Sequence, residues 1–449
     1  MNSQLASNSA SALISTINSS PAVVTNPYVY SQNSNIDTQT SVQVLKVSPQ
    51  SGSTTANSTL HFQVPKNGLL SKIVLKIPYT WTSSLVTGTA VTTSLRPNGL
   101  ISTINEIVLS SQGRTLCRLT NDTIKSVLSV RPSYNLKGME EAYGMNREVG
   151  VVSDTLKFPD GVVAFSATNN TLVRDCYLNL DFPLMSQQLA IDTLFVQNIR
   201  ISISMGSLSD CILYNSDGTT EPIATNYLTY SEPSLFMEFR NQDMASSDAL
   251  TNSNFSSGLL TQIMTNTYEN EPTLYQAMVA GTNKMSIQLK NSSCISGFYV
   301  FISTDYNDDT SVLGTEGGFA KKIKNIKFSS NGQSWVDCDA NLVGYFSLKN
   351  QDGLNGYDSV PQQDGSDKSP SSYIYYINMA SSGINSNKLS NLLSLRELSN
   401  PTVEVEFYNP ITTVTLGQTD KIGMRIVYNT AQLSSIVSSS GQYNISLSN

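Results

Sequence analysis

Histidine is almost missing from this sequence, with one residue, His61, among 449. A Ser-His-Asp or Cys-His relay needs an imidazole, so any such chemistry would have to run through that residue. His61 sits in an alternating stretch beside Phe62, and a strand histidine without a catalytic role is the expectation. Charge is scarce too. Asp, Glu, Lys and Arg make up 14% of the chain, against about 25% in ordinary soluble proteins. Ser, Asn and Thr supply the polarity instead, and a net charge of -7 gives no global field to draw nucleic acid or an anionic membrane. Apolar runs are short: Phe298–Ile302 is about the longest, far below the roughly 18 residues of a membrane span. No basic segment precedes an apolar one at the N-terminus, so no signal peptide is expected. The five cysteines (Cys117, Cys176, Cys211, Cys294, Cys338) are far apart and include no CxxC pair. That pattern fits reduced, mostly buried thiols better than a disulfide framework. Zinc-ligand spacing, a GxxxxGK[ST] phosphate loop and a GxGxxG turn are all missing. Two tryptophans, Trp81 and Trp335, lie away from basic clusters and do not form stacking platforms for bases.

What the chain does contain is a repeat. Ile104–Gly113 reads INEIVLSSQG and Ile323–Gly332 reads IKNIKFSSNG, with both isoleucines, the Ser-Ser pair and the closing Gly identical. A strand running into a polar turn is written twice. Leu60–Val64 returns as Met285–Leu289, and Ser71–Ile77 as Ser296–Ile302, in the same order and at nearly the same spacing. Continuing that spacing matches Leu178, Leu180 and Phe182 with Val403, Val405 and Phe407. It also matches Asn198–Ile203 with Gly423–Tyr428, setting Arg200 against Arg425. A chain of this length exceeds what one core holds, and the repeat predicts two.

Short runs of Val, Ile, Leu and Tyr between Gly, Asn, Ser and Pro predict β structure from about Ser41 onward. Eight strands are expected in the first half: Val42–Val47, Thr59–Val64, Leu69–Pro78, Ile104–Leu109, Arg114–Leu119, Val162–Ser166, Asp175–Phe182 and Phe195–Met205. Eight is the jelly-roll count, two antiparallel sheets joined by two Greek keys. The fold class is therefore all-β, two tandem eight-stranded antiparallel jelly-roll barrels with long outer loops and a flexible N-terminal arm. The expected division is 1–40 for the arm, 41–232 and 233–430 for the barrels, and 431–449 for a tail. A short helix capped by Asp122, with Ile124, Val127 and Leu128 on one face, is expected before Pro132. The longest loops are expected near 120–174 and 340–400. The arm has no charge before Asp37 and no lysine before Lys46, which excludes a basic nucleic-acid-binding arm.

Several segments together resemble one family, the double jelly-roll major capsid proteins of eukaryotic DNA viruses. These segments are Asn67–Ile77, Leu100–Leu116, Tyr373–Ala380 and Leu393–Phe407, the last with Ser394, Arg396, Asn400 and Thr402 near the family's places. The chain departs from the large-virus pattern in its longer Ser/Asn arm and in Ser110-Ser111, where the family has Gly-Gly. A polinton-like virus or virophage type fits better than a giant virus. The resemblance implies a homotrimer of six barrels, a pseudo-hexagonal block tiling an icosahedral shell around a double-stranded DNA genome, with the long loops outward. It implies itself, neighbouring capsid trimers, penton and minor capsid proteins as partners, no direct nucleic-acid binding, no transmembrane segment and a place in the virion. No catalytic or cofactor-binding residues are carried over, because the family is structural. A carbohydrate-binding or adhesive β-sandwich surface protein is the alternative, and an enzyme on a duplicated jelly roll is opposed by the single histidine.

One near-motif stands apart. Asp305, Asn307, Asp309 and Glu316 occupy positions 1, 3, 5 and 12 of a calcium-loop pattern. Thr310 replaces the glycine that the sharp turn needs, and strands rather than helices flank the segment. It reads as an exposed acidic hairpin loop rather than a metal site. Calorimetric titration with calcium is expected to give no heat and no thermal shift; saturable heat would establish a cation site there.

Overall fold

Alternate burial organises the strands that line both cores, as in Thr59–Gln63, Ile104–Ser111, Ile199–Met205 and Ile323–Ser330. The computed structural model describes residues 41–53, 58–83, 92–95, 103–124, 155–158, 161–164, 170–180, 182, 191–193, 196, 198–206, 212–215, 228–241, 261–272, 274–277, 284–291, 293–304, 323–339, 342–343, 375–379, 392–407, 421–439 and 442–448. The expected arm over 1–40, the Asp305–Glu316 loop and most of both long loops lie outside these residues.

The first barrel uses β1 (Ser41–Val47), β2 (Thr59–Gln63), β3 (Leu69–Ser83), β4 (Ile104–Ser111), β5 (Arg114–Thr120), β6 (Asn170–Asn179), β7 (Ile199–Met205) and β8 (Ser234–Asn241). The second uses β9 (Thr261–Asn270), β10 (Lys284–Gln288), β11 (Cys294–Thr304), β12 (Ile323–Ser330), β13 (Gln333–Asp339), β14 (Tyr375–Asn378), β15 (Thr402–Phe407) and β16 (Lys421–Ser439). Pairing follows one rule in both halves. One sheet runs β1-β8-β3 with β6 beyond β3, and the other β2-β7-β4-β5; the second half repeats this as β9-β16-β11-β14 and β10-β15-β12-β13. All these pairs are antiparallel. Apart from the β4–β5 and β12–β13 hairpins, consecutive strands pass between facing sheets, which is the jelly-roll wiring.

Each sheet turns its apolar set inward. In the first barrel Leu60, Phe62, Ile107, Leu109, Ile201 and Ile203 face Ile73, Leu75, Leu235, Met237 and Phe239, all buried. In the second, Phe298 meets Phe328 edge-on at 5.5 Å between ring centroids, and also packs on Tyr428. Burying one such side chain contributes about 1.5–3 kcal/mol, so a register slip by one residue would expose the whole set. The repeated turns are two-residue hairpins. Ser111 pairs with Arg114 and Ser330 with Gln333, and Gln112, Gly113, Asn331 and Gly332 all have positive φ, between 49° and 79°. That is the type I′ geometry that fits strand twist.

Four expectations change. The strand expected at Val162–Ser166 is instead half of a separate hairpin, Gly161–Ala164 with Thr155–Phe158, and the eighth barrel strand is β8. The division expected at 232/233 separates β8 from β1 and β3, to which it is hydrogen-bonded. The segment expected as a tail, 431–449, continues β16 and returns as Gln442–Ser448 paired against it. The last two repeat matches are also one strand out of step. Leu178 lies on β6, whereas Val403 and Val405 lie on β15, the counterpart of β7; Asn198–Ile203 belongs with β7, and Gly423–Tyr428 with β16, the counterpart of β8. The pairing sets Ile201 opposite Leu109 and Val403 opposite Phe328, so Ile201 corresponds to Val403. Alternating strands look alike in sequence, and only their hydrogen-bond partners tell them apart.

Gly297 shows how tightly β11 meets β14. A Cβ there would overlap the Tyr376 hydroxyl and the Ile377 carbonyl oxygen, while the Tyr299 and Tyr376 rings lie 4.7 Å apart beside it. Gly297→Ala is expected to lower stability by about 1–3 kcal/mol, read as a lower denaturant midpoint at unchanged m-value. An unchanged midpoint would show that Tyr376 moves aside without cost.

Candidate assembly interface

Among the described residues, the single histidine makes contacts between neighbouring strands. His61 Nδ1 lies 2.9 Å from Ser202 Oγ on the neighbouring strand β7, while its backbone carbonyl accepts from Gln50 N–H at 2.8 Å. Among the described residues, no group of three or more His, Cys, Asp or Glu could hold a metal ion. Asp305, Asn307, Asp309 and Glu316 lie outside the described residues. The described cysteines are free thiols. Cys117 and Cys176 are buried as expected, but Cys294 is exposed. Burial, partly offset by a backbone hydrogen bond at Arg118, pushes the Cys117 thiol up to about 12, which keeps it protonated and unreactive. Among the described residues, no helix is long and apolar enough to cross a membrane.

The most elaborate buried polar group is structural as well. Glu271, just after β9, accepts the Lys290 N–H at 3.2 Å, the Asn291 N–H at 3.3 Å and the Tyr428 hydroxyl at 2.5 Å. Glu269 accepts the Asn291 side-chain amide at 2.6 Å and the Ser293 hydroxyl at 2.9 Å. These bonds tie the end of β9 to the β10–β11 connection, and a buried carboxylate is tolerable because its donors are in place. Burial, then the Glu271 carboxylate, raises the Tyr428 hydroxyl above its ordinary range.

On the outer face of β10-β15-β12-β13, Lys284 reaches Glu404 at 3.2 Å, Lys324 reaches Glu406 at 3.0 Å and Lys327 reaches Asp337 at 3.6 Å. The Lys324 hydrogen bond holds Glu406 below the usual carboxylate range, and the Asn325 hydrogen bond does the same for Asp337. The stabilisation from both is present at neutral pH and is lost as pH falls through their lowered values. Exposed pairs of this kind contribute little each; their effect is a solvated, patterned face.

A different kind of contact joins the two barrels. Residues 121–124 are helical and follow β5 directly. Thr120, not Asp122, caps this turn: its hydroxyl accepts the Thr123 N–H at 3.2 Å. Asp122 turns to the second barrel, where Arg425 of β16 donates to it at 2.7 Å. Beside them, Asn270 at the end of β9 donates to the Thr120 hydroxyl at 2.7 Å and accepts from the Thr123 hydroxyl at 3.2 Å. The matching of Arg200 with Arg425 therefore fails: Arg200 is exposed on β7 and Arg425 is a seam residue. The sequence carries no local signal for this seam. Its partners lie up to 303 positions apart, and only the docking of one barrel on the other brings them together.

No family model and no curated protein matches this sequence. Solved structures do match in fold. The PBCV-1 virus capsid model has a TM-score of 0.62 at 13% identity, covering 92% of this chain and 98% of that one. The Faustovirus major capsid protein gives 0.60 at 10% identity, covering 96% and 98%. The Sputnik virophage structure gives 0.57 at 13% identity, covering 95% and 93%.

The Asp122–Arg425 pair is mostly shielded, with side chains 19% and 23% exposed. A double-mutant cycle with Asp122→Asn and Arg425→Met is expected to show a coupling of about 1–3 kcal/mol in chemical unfolding. A coupling near zero would mean that the seam is held by packing alone. Strand order, wiring and match over nearly the full length agree: the chain has the double jelly-roll fold of viral major capsid proteins.

Proposed function

We propose that this chain is a major capsid protein that self-assembles into homotrimers, pseudo-hexagonal blocks that tile an icosahedral shell around a double-stranded DNA genome. The observation that carries the reading is one chain holding two barrels of identical strand order in the fold of solved capsid proteins, over nearly the whole length of both. Three copies of a twice-repeated subunit present six similar sides, which suits a threefold block to six neighbours. The mechanism is burial of surface between copies, with many weak contacts acting together. The sparse charge of the chain favours packing against copies of itself over gripping DNA. On this reading the chain is structural rather than catalytic and resides in the virion, with penton and minor capsid proteins as further partners. The expected outward placement of the long loops near 120–174 and 340–400 and the expected contacts of the 1–40 arm beneath the shell fall mostly outside the described residues. The first barrel extends over 41–241 and the second over 261–448, with β8 counted in the first.

Mass measurement of the purified chain tests this directly. A stable species of about three times 48.8 kDa is expected. A chain that stays monomeric at high concentration and binds glycans would overturn the proposal in favour of an adhesive surface protein.

A further inference from the structure

Among the described residues, four large apolar side chains stand out as exposed: Val42 at 63%, Val44 at 59%, Trp335 at 47% and Leu342 at 43%. They fall on two places only. Val42 and Val44 lie on β1, the edge strand of the first barrel; Trp335 lies on β13, and Leu342 in the short helical stretch 342–343 that follows it. Two separate apolar patches on a single chain ask for partners.

The internal repeat says what those partners are. Strand pairing sets Cys117 opposite Leu109 and Val336 opposite Phe328. Leu116, Thr120 and Thr123 of the first barrel therefore correspond to Trp335, Asp339 and Leu342 of the second. Along the other sheets, Lys46 pairs with Phe236 and that with Val74, while Asn270 pairs with Val427 and that with Tyr299. Lys46 thus corresponds to Asn270, and Val44 to Tyr268.

Inside the chain these counterparts form the seam already described, with Thr120 and Thr123 hydrogen-bonded to Asn270. There Leu116 and Thr123 are only 2% and 1% exposed and Tyr268 is buried, while Asn270 stays exposed at the rim. The outward side chains of β11 and β16 beside Asn270, Tyr299, Phe301 and Val427, are buried too, while their first-barrel counterparts Val74, Lys76 and Phe236 remain partly open. The first barrel offers its β5 end to the β9 face of the second. The second barrel's β13 end and the first barrel's β1 face are the same two surfaces, and on them Val42, Val44, Trp335 and Leu342 are exposed.

We infer that the β13 end of one chain seats on the β1 face of a second copy, with Trp335 and Leu342 against Val42 and Val44, and Asp339 against Lys46. The occupant is a second copy because the surface each patch fits is present, in its counterpart form, on this same chain. Charge agrees: where the internal seam sets Thr120 against Asn270, the outer one sets a carboxylate against an ammonium. The contact is head-to-tail, the type that generates a ring when the rotation closes. This assignment rests on the reading of the chain as a self-assembling capsid protein and names the surfaces that the trimer uses.

Sedimentation velocity on the full chain tests it, with the charges reversed singly and together. The parent is expected to run as a trimer. Lys46→Glu and Asp339→Lys should each weaken association at least tenfold while keeping the β-sheet circular dichroism, and the double reversal should restore it. Independently, a chain carrying both Val44→Cys and Trp335→Cys should oxidise into covalently joined chains up to the trimer on a non-reducing gel. A trimeric parent with unaffected single variants and no joined chains would overturn the seam and leave the capsid reading standing. A parent that is monomeric throughout would overturn the capsid reading itself, and the seam with it.

Discussion

Two sheets must bury their apolar sides against one another, and each strand has a period of two. The fold depends on this constraint. It places Phe62, Leu109 and Ile201 on one side of the first core and Leu75 and Met237 on the other. It also sets the polar residues between them outward, where contacts with other barrels are made. A one-residue slip in any strand would reverse the two sets. The I′ turns at Gln112-Gly113 and Asn331-Gly332 fix the register at the same corner of each barrel.

On the proposed function, duplication turns that constraint into an assembly principle. A barrel that docks on a copy of itself through unlike faces always leaves one face of each kind uncovered at the ends of the pair. In this chain the faces that meet carry Thr120, Thr123, Asp122, Asn270 and Arg425. The uncovered ones carry Val42, Val44, Trp335 and Leu342. The two barrels differ where their surroundings differ: Gly297 stands in a buried, tyrosine-lined face, and its first-barrel counterpart Lys72 is exposed. The two barrels share one wiring and differ in their outer faces.

No step of the proposed function requires a reactive group. Glu271 and Glu269 spend their charge on backbone and side-chain donors at a connection, and Cys117 is sealed in the core. The exposed ion pairs on the β10-β15-β12-β13 face contribute a solvated pattern and only a little stability each. On the proposed function, the working features are shape, apolar area and the pairing of complementary faces.

Much of the fold was legible from the chain alone. The all-β class, most strands of the first barrel, the repeated hairpin and the three early repeat matches follow from alternation and turn residues, which are local properties. The same local signals misassigned β8, set the division at 232/233 and slid the last two matches by one strand. Alternating strands carry no label for the sheet they join, and strands β6 and β15 read alike. Asp122 reads as a helix cap from its neighbours alone; its bond to Arg425 exists only because two barrels meet. The sequence by itself determined which side chains could be buried along each strand. Only the tertiary structure decided which strands pair, which outer faces are covered and which stay open, because those depend on contacts between residues hundreds of positions apart.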